Sequence, residues 1–210
     1  MKRFEIVTEA DARVLPRGEP IALARGGHIT PLAQDTLSER RIPVVREDGA
    51  SADFAALAPP DIRSLAVASD HTGIEMRRAL VVFLRARGLT VRDLGTDRPD
   101  PVDYPDVAAS VAEAVVHHEV DAGIVIDGAG IGSAIAANKI DGIRAAAAVS
   151  ETIARYAREH NGANILTLGA TLVSADEATR IVAAWLGASM HEPRYIRRLA
   201  KIRDLEQRTR

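Results

Sequence analysis

The stretch Ala122-Gly123-Ile124-Val125-Ile126-Asp127-Gly128-Ala129-Gly130-Ile131-Gly132-Ser133 decides the fold of this chain. Its first half is a short apolar run of the kind that forms a buried strand, and its second half alternates glycine with small or apolar residues. A helical pattern follows from Ser133 to Lys139. A buried strand that passes through a glycine turn into a helix is typical of a parallel sheet covered by helices.

Segments of the same kind lie on both sides of this stretch. Short runs rich in Val, Ile and Leu alternate with segments of helical period. The predicted strands are Leu65 to Ser69, Thr90 to Leu94, Ala122 to Asp127, Arg144 to Val149 and Asn164 to Leu168. The predicted helices are Ile74 to Arg87, one capped by Ser150 that runs to Glu159, one opened by the capping box of Ser174 and Glu177, and a basic docking helix from Pro193 to Arg208.

The chain divides into three parts. Residues 46–64 carry turn residues without sustained periodicity, and we interpret them as a linker. Residues 1–45 form a small α+β accessory module, with a helix from Leu32 to Arg40 and a strand from Ile42 to Val45. Because fewer than about 50 residues rarely form an independent core, we expect this module to pack on the main domain or on a partner. Residues 65–210 are the main α/β domain.

Composition excludes several classes of protein. The chain has 210 residues, 27 Lys and Arg, 29 Asp and Glu, 3% aromatic residues and no Cys. Disulfides, thiolate metal sites and a thiol nucleophile are therefore absent, and no acidic or His cluster has metal-ligand spacing. The balanced charge argues against nucleic-acid binding. No run approaches the roughly 20 apolar residues of a membrane span, and the first residues lack a signal peptide's apolar core, so we expect a cytoplasmic protein.

Polar residues follow three of the predicted elements, and each has a structural alternative. Ligands of parallel sheets bind beyond the carboxyl ends of the strands, where Asp70, His71 and Asp127 lie. The glycines after Asp127 suit an oxyanion but also an unliganded tight turn, and their spacing is not that of a dinucleotide site. Asp70 is equally suited to capping a helix, and Asp127 to capping a loop. His160 and Asn161 can simply end a helix, and the final arginines can form a solvated basic face.

From about Leu65 to Gln207 the sequence resembles the type B ribose-5-phosphate isomerases and the related galactose- and allose-phosphate isomerases. The resemblance rests on several ordered motifs, which are Ala68-Ser69-Asp70-His71-Thr72-Gly73, Asp103-Tyr104-Pro105, Gly128 to Gly132 with Ala136 to Lys139, Gly142 to Ala145, and Arg158 to Asn161 with Asn164. It implies a doubly wound, Rossmann-like five-stranded parallel sheet with helices on both faces. It also implies a homodimer or a dimer of dimers with shared active sites, and neither a metal nor an organic cofactor.

The resemblance also implies roles for individual residues. Asp70 and His71 would contact the sugar and phosphate, His71 would also be a catalytic residue, and Tyr104 would line the pocket. His160 and Asn161 would assist ring opening and sugar binding, and Arg194 and Arg198 would clamp the phosphate. The enediolate oxygen would be held by the loop residues Gly128, Ala129, Gly130, Ile131 and Gly132, with Ser133 completing the substrate-binding set.

Four positions depart from the family pattern. Many members have a cysteine base where this chain has Asp127, and others have a glutamate where it has Ser133. Thr171 stands in place of a phosphate-binding arginine, and Tyr195 in place of a histidine. Since a serine hydroxyl is a poor base, we assign Asp127 as the base, as a hypothesis.

The reaction expected from this set is an aldose–ketose isomerisation through a cis-enediolate, with ribose 5-phosphate and ribulose 5-phosphate as the leading pair. An isomerase of another sugar phosphate of four to six carbons is the nearest alternative. A non-catalytic subunit that binds a sugar phosphate is an alternative from a different class of protein.

The first 45 residues have a fainter resemblance of their own. Ile6 to Asp11, Ile29 to Ala33 and Arg40 to Ile42 resemble a segment at the start of some ethanolamine-utilisation cobalamin adenosyltransferases and other bacterial microcompartment proteins. This resemblance implies a packaging element that contacts a microcompartment shell or cargo. The alternative is a clasp that widens an oligomer interface.

Overall fold

The computed structural model describes residues 1–46, 60–190 and 192–208. The chain forms two compact units, Met1–Leu57 and Ala58–Arg210. Most of the predicted linker, at 47–59, lies outside the described residues. None of the helices within the described ranges is long and apolar enough to cross a membrane.

The N-terminal unit is a small parallel sheet with its own apolar core. Its elements are β1 (Arg3–Val7), α1 (Glu9–Val14), β2 (Ile21–Ile29), α2 (Pro31–Glu39) and β3 (Val44–Arg46), with strand order β1-β2-β3. All pairs are parallel because a helix returns the chain between successive strands, so the expected α+β module is built as alternating strands and helices. The last strand begins two residues later than predicted, since the Ile42 amide donates to Leu37 O and belongs to the turn that ends α2.

The C-terminal unit contains a five-stranded parallel sheet of order β5-β4-β6-β8-β7. Its elements are β4 (Ser64–Ser69), α3 (Ile74–Ala86), β5 (Thr90–Asp93), α4 (Tyr104–Val116), β6 (Ala122–Asp127), α5 (Ile131–Ala137), β7 (Ala145–Ala147), α6 (Glu151–Asn161), β8 (Ile165–Gly169), α7 (Ala175–Leu186) and α8 (Pro193–Arg208). The prediction of a doubly wound, five-stranded parallel sheet is confirmed.

Helices cover both faces of this sheet. Ile124 and Ile126 point into a core that includes Leu80 and Trp185, whereas Val125 between them points into a second core with Val111. This separation follows from the alternation of side chains along a strand. Burial on both faces explains why β6 reads as a continuous apolar run rather than an alternating one.

Local capping signals set several helix boundaries as predicted. Ser174 and Glu177 form a capping box at α7, Ser150 caps α6, and α8 has the predicted bounds. Other boundaries differ by one or two residues, and helix α6 runs to Asn161 rather than to Glu159. Helix α5 begins at Ile131 rather than Ser133, directly after the left-handed Gly130. Strand β7 covers only Ala145–Ala147 because it is an edge strand that pairs with β8 alone.

Candidate active site

The carboxyl ends of β4 and β6 lie side by side at one edge of the large sheet. The two strands are adjacent and parallel, Ser69 is in register with Ile126, and the Asp70 amide donates to Ile126 O at 3.1 Å. Asp70 and His71 therefore lie beside Asp127 and the glycine loop that follows it. This edge is the position at which open parallel sheets bind their ligands.

Asp70 is only 6% exposed and is held by its own turn. Its Oδ1 accepts hydrogen bonds from the Thr72 amide at 2.8 Å and the Thr72 hydroxyl at 2.5 Å. Helix α3 is capped by Gly73, so Asp70 is not its N-cap residue. The structural alternative for Asp70 is thus a turn inside the loop, and no group among the described residues donates to its Oδ2.

His71 is oriented by the backbone of the segment before α4. Its Nδ1 accepts a hydrogen bond from the Val102 amide at 3.4 Å. In the neutral imidazole, an acceptor at Nδ1 requires the proton to be on Nε2. His71 therefore offers an N–H donor, which suits an anionic group such as a phosphate.

Asp127 is buried at the end of β6, and both of its oxygens accept hydrogen bonds from the loop. Oδ1 accepts from the Ala129 amide at 2.7 Å and from the Gly130 amide. Oδ2 accepts from the Ser133 amide at 3.0 Å and from the Ser133 hydroxyl. The carboxylate thereby ties the start of the loop to the first turn of α5.

These contacts decide the acidity of Asp127. Burial raises the pKa of its carboxyl. The hydrogen bonds from the Ser133 hydroxyl and from the amides of Gly130, Ser133 and Ala129 together lower the pKa by more than burial raises it, so the pKa lies below its ordinary value. The group is a stable carboxylate near neutral pH. To accept a proton from a substrate, it has to exchange at least one loop donor for that proton. Its role as base stays a prediction, and the loop-capping alternative describes its contacts in this structure.

Close packing fixes the backbone of the glycine loop. Gly130 has φ +75°, and a Cβ there would lie 2.9 Å from the carbonyl carbon of Leu168. A Cβ on Gly132 would lie 2.6 Å from Cε2 of Tyr104, because the ring of that tyrosine rests on the loop. Gly130 is required by its positive φ and by the nearby backbone, whereas a side chain at Gly132 would have to displace the Tyr104 ring. Tyr104, which is 42% exposed, therefore borders the loop, and its role as a pocket residue stays a prediction.

Two threonines that the sequence analysis did not connect to the loop also hold it. The hydroxyl of Thr167 donates to Gly130 O and that of Thr171 donates to Gly128 O, both at 2.6 Å. These pairs are 37 and 43 residues apart, so no local pattern indicates them. Thr171, which replaces an arginine of the family pattern, is thus part of the loop's support.

Some amides of the glycine loop donate to Asp127, and others have no acceptor among the described residues. Those of Ala129, Gly130 and Ser133 donate to the carboxylate. The amides of Ile131 and Gly132, in the first turn of α5, have no acceptor within the described residues, as is usual at the start of a helix. We therefore expect a ligand oxygen to be held by these two amides rather than by the whole loop.

A second group of predicted site residues lies where α6 meets α8. The His160 ring stacks between Tyr156, with centroids 4.5 Å apart, and Tyr195, with centroids 4.6 Å apart. The guanidinium carbons of Arg194 and Arg198 lie 4.9 and 5.7 Å from the centroid of Tyr195. The structure thus brings together His160 and both arginines of the expected phosphate clamp.

Asn161 occupies the last position of α6, and its amide Nδ2 donates to Tyr156 O at 3.2 Å. Arg158 anchors the same helix. It is 3% exposed, donates to Ala163 O and Pro60 O, and burial lowers its pKa to about 10. These contacts fix the end of α6, and therefore the position from which His160 extends.

The two groups of site residues stay separate within one chain. No hydrogen bond or ring contact between described residues joins the β4 and β6 edge to the group on α6 and α8. Residues 1–46, 60–190 and 192–208 also contain no cluster of three side chains suited to hold a metal ion. The side chains present are those of acid–base chemistry on an anionic ligand.

Comparisons with known proteins match the C-terminal unit. The family model described as Ribose/Galactose Isomerase matches residues 65–202. Ribose-5-phosphate isomerase B of Escherichia coli strain K12 is 41% identical over 147 residues, which cover 70% of this chain and 99% of that protein.

Solved structures give the same result. Ribose-5-phosphate isomerase B of Clostridium thermocellum has a TM-score of 0.69 at 46% identity, and the match covers 70% of this chain and 99% of that one. The Mycoplasma genitalium protein of the same name, solved with bound ribulose-5-phosphate, has a TM-score of 0.66 at 39% identity and matches 69% of this chain and 96% of its own. Both groups of side chains lie in the matched region.

Proposed function

The chain belongs to the ribose/galactose isomerase family, and from that membership we propose that it interconverts ribose 5-phosphate and ribulose 5-phosphate. The observation that carries the proposal is the edge formed by β4 and β6. There Asp70, His71 and the glycine loop lie together in the region matched by a relative that was solved with ribulose-5-phosphate.

The reaction requires only a proton transfer between neighbouring carbons. Once the sugar ring is open, a base removes the C2 proton of the aldose and the electron pair moves to the carbonyl, giving a cis-enediolate. Return of that proton to C1 and transfer of the C2 hydroxyl proton to the C1 oxygen then yield the ketose. General acid–base groups contribute about 10² to 10⁴-fold to such steps, and preorganised amides that meet the developing oxyanion contribute about 3 kcal/mol each.

Asp127 is the base in this proposal. It is buried at the end of β6 and is ionised near neutral pH, because its loop donors hold its pKa low. The Ser133 hydroxyl is the donor that can leave most easily, since rotation about a single bond moves it without moving the backbone. Ser133 would therefore control how basic Asp127 becomes, and the amides of Ile131 and Gly132 would hold the oxyanion.

The remaining polar side chains bind the ends of the substrate. His71 offers its Nε2 proton to the phosphate, and Arg194 and Arg198 offer their guanidinium groups. A guanidinium group is planar and can donate two parallel hydrogen bonds to the oxygens of a phosphate. Asp70 offers Oδ2, which has no partner within the described ranges, to a sugar hydroxyl. His160 serves ring opening as acid and base, and Asn161 and Tyr104 border the sugar.

We propose a homodimer or a dimer of dimers in which each site takes residues from two chains. Two observations support this arrangement. The two groups of site residues do not contact each other in the described part of one chain. Several large apolar side chains of the C-terminal unit are exposed, namely those of Ile131, Ile135, Val149, Ile153 and Leu172. A second copy of the chain would cover these side chains and bring its own His160 and arginines to the loop.

A panel of phosphorylated aldoses of four to six carbons, assayed with the purified protein, tests the substrate. We expect ribose 5-phosphate to give the highest kcat/KM. A higher value for another sugar would favour the second isomerase alternative, which Thr171 and Tyr195 keep open because they replace phosphate-side residues of the family pattern. Binding of a sugar phosphate without turnover of any would favour the non-catalytic subunit.

We further propose that the N-terminal unit is a packaging element and that the protein acts in the cytoplasm, inside a bacterial microcompartment where one is present. The unit has an apolar core of its own, which includes Val7, Leu23 and Leu37, and it is compact by itself. A separately folded unit outside the matched region suits an assembly function. A clasp on the oligomer is the alternative, and deletion of the unit distinguishes the two.

A further inference from the structure

Tyr195 contacts three side chains to which the proposed function gives a role. Its ring stacks on His160 with an interplanar angle of 30°, and the guanidinium groups of Arg194 and Arg198 lie at the same ring. Arg194 Nη2 also donates to the Tyr195 hydroxyl at 3.2 Å. One ring therefore contacts the residue proposed for ring opening and both residues proposed for phosphate binding.

The ring of Tyr195 is itself held in place. The side chain is 8% exposed and packs in an apolar cluster with Met190 and Leu199. By contrast, the arginines that touch it are mostly exposed, and the side chain of Arg194 is 58% exposed. A buried ring has few alternative rotamers, whereas an exposed arginine has many, so the ring restricts the arginines and not the reverse.

The choice of a phenol ring at this position has an electrostatic consequence. The face of a tyrosine ring attracts cations, and the ring carries no charge at neutral pH. An imidazole at the same place gains a positive charge as the pH falls through the range in which histidine titrates, and it would then repel the two guanidinium groups. Tyr195 can therefore hold two cations close together without adding a third.

We propose that Tyr195 is a positioning residue that preorganises Arg194 and Arg198 for a phosphate group and fixes the His160 ring beside them. The inference that this phosphate belongs to a sugar rests on the proposed function. Preorganisation lowers the entropy lost when flexible side chains bind an anion, so it tightens binding without any contact between the tyrosine and the ligand.

Binding of inorganic phosphate to the full-length protein, measured by calorimetry, tests the inference without any turnover. We expect Tyr195→Leu to weaken phosphate binding about tenfold, because two cation–π contacts are lost, and Tyr195→Phe to stay within about twofold of the wild type. Tyr156→Leu is the matched control. It removes the other ring stacked on His160 but leaves the contacts of Arg194 and Arg198 with the Tyr195 ring in place, so phosphate binding should be unchanged.

Kinetics with ribose 5-phosphate and NMR provide two further measurements. We expect the KM of Tyr195→Leu to rise about as much as its phosphate dissociation constant, with Tyr195→Phe restoring it. In the wild-type protein, nuclear Overhauser effects should connect the Tyr195 ring to the δ-protons of both arginines, and ring-current shifts should mark the His160 ring protons. The NMR measurement stands even where the leucine variant does not fold.

Equal phosphate affinity in folded Tyr195→Leu and wild type would overturn the inference, and so would absence of the expected nuclear Overhauser effects or of phosphate binding by the wild type. Failure of the proposed function has a different signature. In that case the wild-type protein would not isomerise ribose 5-phosphate, while the effects of the Tyr195 variants on phosphate binding would remain.

Discussion

The amide and the hydroxyl of Ser133 donate to the same oxygen, Oδ2, of Asp127. These are the two positions at which the family pattern places either a cysteine or a glutamate base. In this chain the residues at these two positions, Asp127 and Ser133, are hydrogen-bonded to each other. The pair closes the glycine loop on itself and lowers the pKa of the carboxyl group.

Ser133→Ala tests whether Asp127 is the base. The substitution removes the hydroxyl donor but leaves the backbone amide, so the pKa of Asp127 should rise, because a hydrogen bond that favours the ionised carboxylate is lost. If Asp127 accepts the C2 proton, the acidic limb of kcat/KM against pH moves to higher pH by a similar amount.

Ser110→Ala is the matched control for this experiment, because the Ser110 hydroxyl donates to Val107 O within α4. Its pH profile should equal that of the wild type. An acidic limb that stays in place in Ser133→Ala would mean that another group is the base and that Asp127 serves the loop alone.

Asp127→Asn should reduce kcat by at least about 10²-fold, the lower range for loss of a general base. The amide side chain cannot accept the C2 proton, and its NH2 group also opposes one pair of loop donors. Circular dichroism and the oligomeric state establish that the variant is folded. Near-normal turnover by a folded Asp127→Asn protein would contradict the assignment.

Acid stability offers a separate measure of the Asp127 contacts. The pKa of the folded carboxyl is lower than that of the unfolded chain, which is about 3.9, so the ionised form stabilises the fold. This contribution is complete above the unfolded pKa and is lost as the pH falls through the folded value. Denaturant unfolding measures the free energy of unfolding at each pH from 5 to 2.5. Plotted against pH, this free energy should have a slope that is shallower in Asp127→Asn than in the wild type by up to about 1.4 kcal/mol per pH unit. Identical slopes in the two proteins would show that the contacts contribute nothing.

Gly132→Ala should lower kcat/KM at least about tenfold, because the added Cβ would lie 2.6 Å from the Tyr104 ring and must displace the ring or the loop. Gly187→Ala is the control, since Gly187 has φ −81° and its nearest atom, Ala183 O, is 3.4 Å from the added Cβ. Tyr104→Ala in the Gly132→Ala background should relieve the clash, so the two effects should not add. Full activity of Gly132→Ala would mean that the close approach does not constrain the site.

Deletion of residues 1–57 tests the role of the N-terminal unit. The cut keeps Pro60, whose carbonyl accepts from Arg158, so the C-terminal unit retains that contact. A packaging element predicts activity within about twofold of the wild type, an unchanged oligomer by analytical ultracentrifugation, and lost co-localisation with the microcompartment. A smaller oligomer would favour the clasp instead, and the two outcomes are exclusive.

The amino-acid sequence by itself determined the fold class and most elements of the C-terminal unit. Apolar runs, the Ser174 and Glu177 capping box and the residues that end helices act within a few positions along the chain, so they can be interpreted without tertiary contacts. The sequence also located the glycine loop at the end of a buried strand. It fixed the boundaries less well where pairing or a turn decides them, as in β7 and β3.

Only the tertiary structure decided which partners the site residues have. Thr171 supports Gly128 from 43 positions away, and Tyr195 meets His160 because α8 packs against α6. The sequence left Asp127 equally suited to a base and to a loop cap, since burial and hydrogen bonding shift a carboxyl pKa in opposite directions. The balance depends on the number of donors that surround the group, and folding brings four of them to this one carboxylate.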